Sequence, residues 1–276
     1  MNSLLLRSFS VLGACIVITS AHAAVSIDFN GGSDPIPGNF NGNGQPLPTW
    51  NGTNGITASG GVDIAAANFG NFQAVANSGP ESFNATASTL STSMFLRIDT
   101  APPNNVSDAR ILDLYIAEDS ASNVSNGTTG NAHVGVRLNT NGNNTTYRMQ
   151  IRNNNGNGTQ IGGNFTGLTL GNWYKMTVLF TNVNGTGLIK LDINLDDYGI
   201  AGTTFASNLF TGTANTTNAT LTGDSAVYGA FRVPRGDNLS GADNFSFVNA
   251  VPEPGSALLA GIGLALLAVR RRRHRA

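Results

Sequence analysis

The chain has 276 residues, with 15 Lys and Arg against 16 Asp and Glu. The charge is divided unevenly: Arg7, Arg270, Arg271, Arg272, Arg273 and Arg275 lie in the two ends, whereas Glu253 is the one acid there, so the middle is net negative. An acidic middle rich in Asn, Gly and Thr excludes nucleic acid as a partner, because phosphate binding needs a basic footprint, and a single cysteine, Cys15, excludes a disulfide framework.

Residues 1–23 read as a secretory signal peptide. Arg7 supplies the positive start, an apolar run extends from Phe9 to Ile18, and Ala21-His22-Ala23 has the A-x-A form that places cleavage after Ala23. The run is too short for a stable membrane helix. A second reading takes Leu12-Gly13-Ala14-Cys15 as a lipobox with Cys15 lipidated. Against it, the apolar stretch continues through Ile16-Val17-Ile18 and the spacing from Arg7 is short. Cleavage after Ala23 leaves a mature chain without cysteine, hence without thiol catalysis or Cys-type metal sites.

Residues 24–250 read as one all-β domain, an antiparallel sandwich or barrel. Strands are expected over Val25 to Phe29, Thr92 to Ile98, Ile111 to Ala117, Ala226 to Val233 and Asn244 to Val248, with loop over Asn30 to Asn54 and no amphipathic helix of useful length. Between them lie two hairpins. Centring the first turn on Asn141-Gly142 sets Val136 opposite Tyr147 and Val134 opposite Met149, with His133, Gly135 and Arg137 facing Gln150, Arg148 and Thr146 on the other side. Centring the second on Asn184-Gly185 sets Phe180, Val178, Met176 and Tyr174 opposite Ile189, Leu191, Ile193 and Leu195. Its polar face carries Lys175, Thr177, Lys190, Asp192 and Asn194.

Catalytic signatures are missing from this body. A retaining glycosidase needs two carboxylates roughly 5 Å apart; the only glutamates, Glu81 and Glu118, are far apart in sequence, and Asp192-Ile193-Asn194-Leu195-Asp196 lacks a Glu acid. His133 is the one histidine of residues 24–250, there is no G-x-S-x-G elbow and no EF-hand loop, and Gly31-Gly32 and Gly60-Gly61 lack a phosphate-loop context. No catalytic residue is assigned. The candidate glycan-binding residues are His133, Arg137, Arg148 and Arg152 on the polar face of the first hairpin, suited to an anionic polysaccharide, and Trp50, whose ring could stack on a sugar. Trp173 reads as packing. No metal is required; Glu118, Asp119, Asp196 and Asp197 are weak calcium candidates.

The body resembles the concanavalin A-like, laminin G-type jelly roll. The matching pieces are Gly171-Asn172-Trp173-Tyr174-Lys175 entering a strand, the hairpin ending at Leu195, Gly241-Ala242-Asp243-Asn244-Phe245 opening the last strand, and Ser26-Ile27-Asp28-Phe29 set to pair near it. The resemblance implies a fold that carries lectins, glycan-binding modules and some glycosidases, among which the fold alone does not decide.

Residues 251–276 form the last segment. Gly255 to Val269 carries no charge and as a helix spans about 22 Å, short of the roughly 30 Å of hydrocarbon. Pro252-Glu253-Pro254 must be extended, and the Arg270, Arg271, Arg272, Arg273 block stays cytoplasmic. Val251-Pro252-Glu253-Pro254, the short apolar helix and the arginine block together resemble the PEP-CTERM sorting signal. That resemblance implies an exosortase-type membrane protease as partner, transient inner-membrane anchoring after Sec export, and delivery to the cell surface or extracellular matrix of a Gram-negative host. An ordinary tail anchor is the competing reading. The expected function is a non-enzymatic exported protein, structural or glycan-binding in association with exopolysaccharide. The alternative is a divergent polysaccharide-active enzyme, hydrolase or lyase, on the same fold.

Overall fold

A computed structural model describes residues 25–29, 33–43, 45–53, 55–56, 61–63, 72–101, 109–124, 132–154, 156, 158–233 and 241–250. The expected signal segment with Ala21 and Ala23, Cys15, and the tail from Val251 onward lie outside them. Two antiparallel sheets make up the fold, numbered here in chain order. The eight-stranded sheet runs β13 (Ser207–Thr217), β12 (Leu188–Asp197), β11 (Trp173–Asn182), β6 (Thr89–Arg97), β15 (Gly241–Asn249), β4 (Gly61–Asp63), β3 (Thr49–Asn51), with β1 (Val25–Ile27) also on β15. The seven-stranded sheet runs β10 (Gln160–Phe165), β9 (Tyr147–Asn153), β8 (His133–Thr140), β7 (Arg110–Ala117), β14 (Tyr228–Val233), β5 (Phe72–Ala76), β2 (Phe40–Asn41). The helices among the described residues, α1 (Ile36–Asn39) and α2 (Ala219–Thr222), are single turns, and none is long and apolar enough to cross a membrane.

The sheets close on one core. Every second residue of β11 and β12 points into it (Tyr174, Met176, Val178, Phe180; Ile189, Leu191, Ile193, Leu195) and meets Leu112, Leu114, Ile116, Val134, Val136, Leu138 and Met149 from the other sheet. This is the period-two arrangement of stacked sheets. Phe40, Phe231 and Phe245 pack ring to ring at 5.3–5.4 Å. Gly229 lets the sheets approach: a Cβ there would sit 2.5 Å from Phe247. As anticipated, β1 pairs with the last strand, Ser26 opposite Ser246.

Both hairpins form with the expected inward faces but not the expected partners. In the first, Val136 faces Ile151, Leu138 faces Met149 and Thr140 faces Tyr147. The tight turn is replaced by a longer loop closed by Asn141 N–H to the Thr146 carbonyl at 2.8 Å. The Asn143 carboxamide oxygen accepts from the N–H groups of Thr145 and Thr146 at 2.9 and 2.7 Å, an Asx turn in place of a backbone one. In the second, Phe180 faces Leu191 and Met176 faces Leu195. There Asn182 Oδ1 accepts from Gly185 N–H and Asn184 Oδ1 from Thr186 N–H. Both registers slide by an even number, so each apolar set keeps its face.

One further expectation needs correction. The stretch Asn30 to Asn54 is not all loop: it holds α1, β2 and β3, anchored by buried Ile36 and Phe40. The polar face of the first hairpin is largely buried. Every residue of β8 is buried, whereas β11 and β12 alternate between buried and half-buried.

Candidate functional site

The outer face of the seven-stranded sheet is polar and mostly buried, with Arg110 exposed at its rim. Cross-strand registers set Gln150, Arg137, Asp113, Arg232 and Gln73 in one row across β9, β8, β7, β14 and β5. The next row is Arg152, Gly135, Tyr115, Ala230 and Val75, and on the other side lie Arg148, Asn139 and Arg110. Asp113 is fully buried, and Arg137 and Arg232 are 2% and 4% exposed. Part of the cover is the chain leaving β7. Val124 packs on Val75, Tyr115, Ala117 and Ala230, and Gln73 Nε2 donates to the Ser122 carbonyl at 3.1 Å. The Asn43 side chain donates to the Ser120 and Ser122 carbonyls at 2.8 and 2.9 Å, fixing that segment over the sheet.

At the centre Arg137 grips Asp113 in a two-point fork, Nε to Oδ1 and Nη2 to Oδ2, both 2.6 Å. Tyr115 adds its hydroxyl to Oδ2 at 2.7 Å. Burial alone would push the Asp113 carboxyl up; the charge and hydrogen bonds of Arg137, then Arg232 and Tyr115, outweigh it and hold the carboxyl below its ordinary value. Burial likewise opposes the Arg137 charge, but Asp113 holds that guanidinium above its ordinary value. Burial, reinforced by the Asp113 charge, pushes the Tyr115 phenol up to about 12. The Tyr115 ring lies over Gly135, where a Cβ would overlap it, and meets the His133 ring edge-on at 5.4 Å.

The sequence-derived residues divide accordingly. His133, Arg137 and Arg152 are buried on this face with Arg148 half-buried beside them, so these four are together. Trp50 is elsewhere, on β3. Its ring is half-buried against the core and its Nε1 donates to the Phe29 carbonyl at 2.8 Å, so it flanks the core instead of standing free in a loop. Trp173 is buried as expected, with the Arg97 guanidinium 5.0 Å over its ring.

The calcium candidates do not form a donor set. Glu118 Oε2 caps Ala132 N–H at 3.0 Å, and Asp119 Oδ1 accepts from Ala121 N–H at 2.9 Å. Asp196 Oδ1 takes Asn208 Nδ2 at 2.8 Å, and Asp197 Oδ1 takes Gly199 N–H at 2.6 Å, so these carboxylates serve as local caps. Among the described residues no three of His, Cys, Asp and Glu come together as ligands.

Asp113, Tyr115, Arg110, Asn139 and Arg232 were missed from sequence. A signal existed. Asp113 in Ile111-Leu112-Asp113-Leu114-Tyr115-Ile116 and Arg232 in Phe231-Arg232-Val233 are lone charges in apolar strands. Such strands read as buried on both faces, where a charge must find a partner.

Residues 250–273 match the family model of the PEP-CTERM protein-sorting motif. The PEP-CTERM motif spans the Val251-Pro252-Glu253-Pro254 run and the Arg270 to Arg273 block. No curated protein matches the chain by sequence. Among solved structures the chain is similar to peanut lectin with a nine-residue peptide, at 14% identity and TM-score 0.47, covering 82% of this chain and 97% of that one. It is similar to a seed lectin of Lotus tetragonolobus, at 14% identity and TM-score 0.47, covering 83% and 100%. An alginate lyase matches at 14% identity and TM-score 0.33, covering 72% and 74%.

Proposed function

We propose that this PEP-CTERM chain is an exported, non-enzymatic surface or matrix protein that binds polysaccharide on the outer face of its seven-stranded sheet. Export follows the Sec route with cleavage after Ala23, then a transient stay in the inner membrane until an exosortase-type protease removes the tail. The match over 250–273 carries the destination. The grouping of His133, Arg148, Arg152 and Arg232 around the Arg137–Asp113 pair supports binding, since guanidinium groups suit the polar groups of sugars and acidic substituents. Two observations weigh on the non-enzymatic side. The Asp113 carboxylate is held by Arg137 and Tyr115 and has no second carboxylate in its row, and a Tyr115 phenol pushed up to about 12 is a poor general base near neutral pH.

The test is binding of the full chain, purified in mild detergent, to the host's own exopolysaccharide, with calcium and with chelator. Saturable binding indifferent to chelator is expected. Absence of binding in both conditions leaves a purely structural surface protein. Loss under chelator would bring a cation back into the account. Hydrolysis of a polysaccharide that disappears on alanine replacement of Glu118, Asp192 or Asp196, taken one at a time, would overturn the non-enzymatic assignment.

A further inference from the structure

In the central row one charge is left over. Asp113 already accepts three hydrogen bonds, two from Arg137 and one from Tyr115. Arg232, its neighbour on the other side, comes no nearer than 3.9 Å from Nη1 to Asp113 Oδ2, beyond hydrogen-bond range. Both Nε and Nη1 of Arg232 are buried without an acceptor. On its far side stands Gln73, whose Nε2 is spent on the Ser122 and Gly42 carbonyls. A guanidinium that is 4% exposed with two nitrogens unmet is the costly case of a buried charge without a full counter-charge.

Other guanidinium groups stand near: among the described residues the charges of Arg137, Arg232 and Arg152 oppose that of Arg110, and Asp113 favours it. The face also has a graded approach. Arg110 is exposed and Arg148 and Gln150 are half-buried, and from that rim the rows lead inward through Arg137 to Arg232.

We infer that Arg232 is the floor of an anion site that takes the oxyanion of an acidic sugar residue, a uronate carboxylate or a sulfate ester, with Arg110 at its mouth. The inference rests on the polysaccharide-binding reading and sharpens it to acidic chains. The Arg137–Asp113 pair then has a second task. By occupying the one carboxylate of the row it leaves Arg232 for the ligand and holds it in place from one side.

The experiment uses the full chain in mild detergent with polygalacturonate, dextran sulfate and neutral dextran as probes, reading affinity and the shift in unfolding temperature. Wild type should bind one or both acidic polymers, more weakly as salt rises, and neutral dextran at least tenfold less well. Preference for polygalacturonate assigns a carboxylate and preference for dextran sulfate a sulfate ester. Arg232→Met should lose at least tenfold in acidic-polymer affinity while unfolding, without ligand, at the same or a higher temperature than wild type. A structural arginine would give the opposite pair, a lower unfolding temperature with acidic-polymer binding unchanged, and that result overturns the inference. If Arg232→Met does not fold, wild type alone decides, because equal binding of acidic and neutral polymers sinks the anion site. Binding of exopolysaccharide without preference for acidic chains removes this inference alone. Failure to bind any of these polysaccharides removes the function on which it rests.

Discussion

Asp113 and Arg137 form a buried pair whose two halves are worth less apart than together. Asp113→Asn leaves Arg137 and Arg232 without their shared carboxylate, and Arg137→Met leaves Asp113 with one neutral donor and a distant cation. Each single change should cost about 3–5 kcal/mol, because it strands a charge away from water. The double change Asp113→Leu/Arg137→Met should cost less than the sum of the two, read by denaturant unfolding. The pH dependence has a definite sign. The folded carboxyl lies below the ordinary value of 3.8, so its stabilisation is complete above that pH and is lost as pH falls from there through the folded value. Wild type should therefore lose stability faster than Asp113→Asn on acidification in that range. Parallel profiles would show that the pair contributes nothing through charge. This residue-scale chemistry was half legible in the sequence. Arg137 and His133 stood out on a hairpin face, but the acid that holds Arg137 is on another strand, and only the β7–β8 register brings it there.

At the scale of elements, periodicity predicts faces well and partners poorly. The alternation in β11 and β12 named every inward residue, yet an Asn-Gly dipeptide did not fix the turn. Asparagine side chains competed for the N–H groups that a tight turn would have left to the backbone. The strand β13 was missed altogether. Its residues are mostly Ser, Asn, Thr and Gly, with Leu209, Phe210 and Ala214 the apolar exceptions, and an edge strand held by its backbone ladder to β12 needs no regular apolar stripe. The two turns differ in what their asparagines hold. Asn143 lies in an exposed loop and makes local bonds only. Asn182 is fully buried and donates to the Phe83 carbonyl at 2.6 Å and the Thr222 carbonyl at 3.1 Å while accepting from Gly185. It ties the end of β11 to the loop before β6 and to the end of α2. Asn182→Ala should cost about 2–3 kcal/mol, since it leaves buried carbonyls unpaired, and Asn143→Ala less than about 1 kcal/mol. Equal losses in unfolding free energy would mean that the buried bonds of Asn182 are replaced by water at no cost.

For the whole molecule the sequence was informative at its C-terminal end and nearly silent on ligand, for a physical reason. A sorting signal is read as a linear segment, so its order of motif, apolar run and arginines survives intact in the sequence. The polar face of the seven-stranded sheet is assembled from strands far apart in the chain, and its charges become meaningful only when β7, β8, β9 and β14 lie side by side. The two ends also dominate the charge balance. Five of the 15 Lys and Arg lie between Arg270 and Arg275, and with the tail in place the whole chain is nearly neutral, at a formal −1. Removal of the tail would therefore convert a nearly neutral chain into an acidic product. The expected outcome is measurable without knowing the ligand. In a host lacking the exosortase the chain should stay in the inner membrane with Arg270 to Arg273 attached. In wild-type cells the surface form should be shorter and focus at a lower pH. Surface-located protein that keeps its arginine block, read by mass spectrometry of the C-terminal peptide, would show that the segment anchors the chain and is not removed.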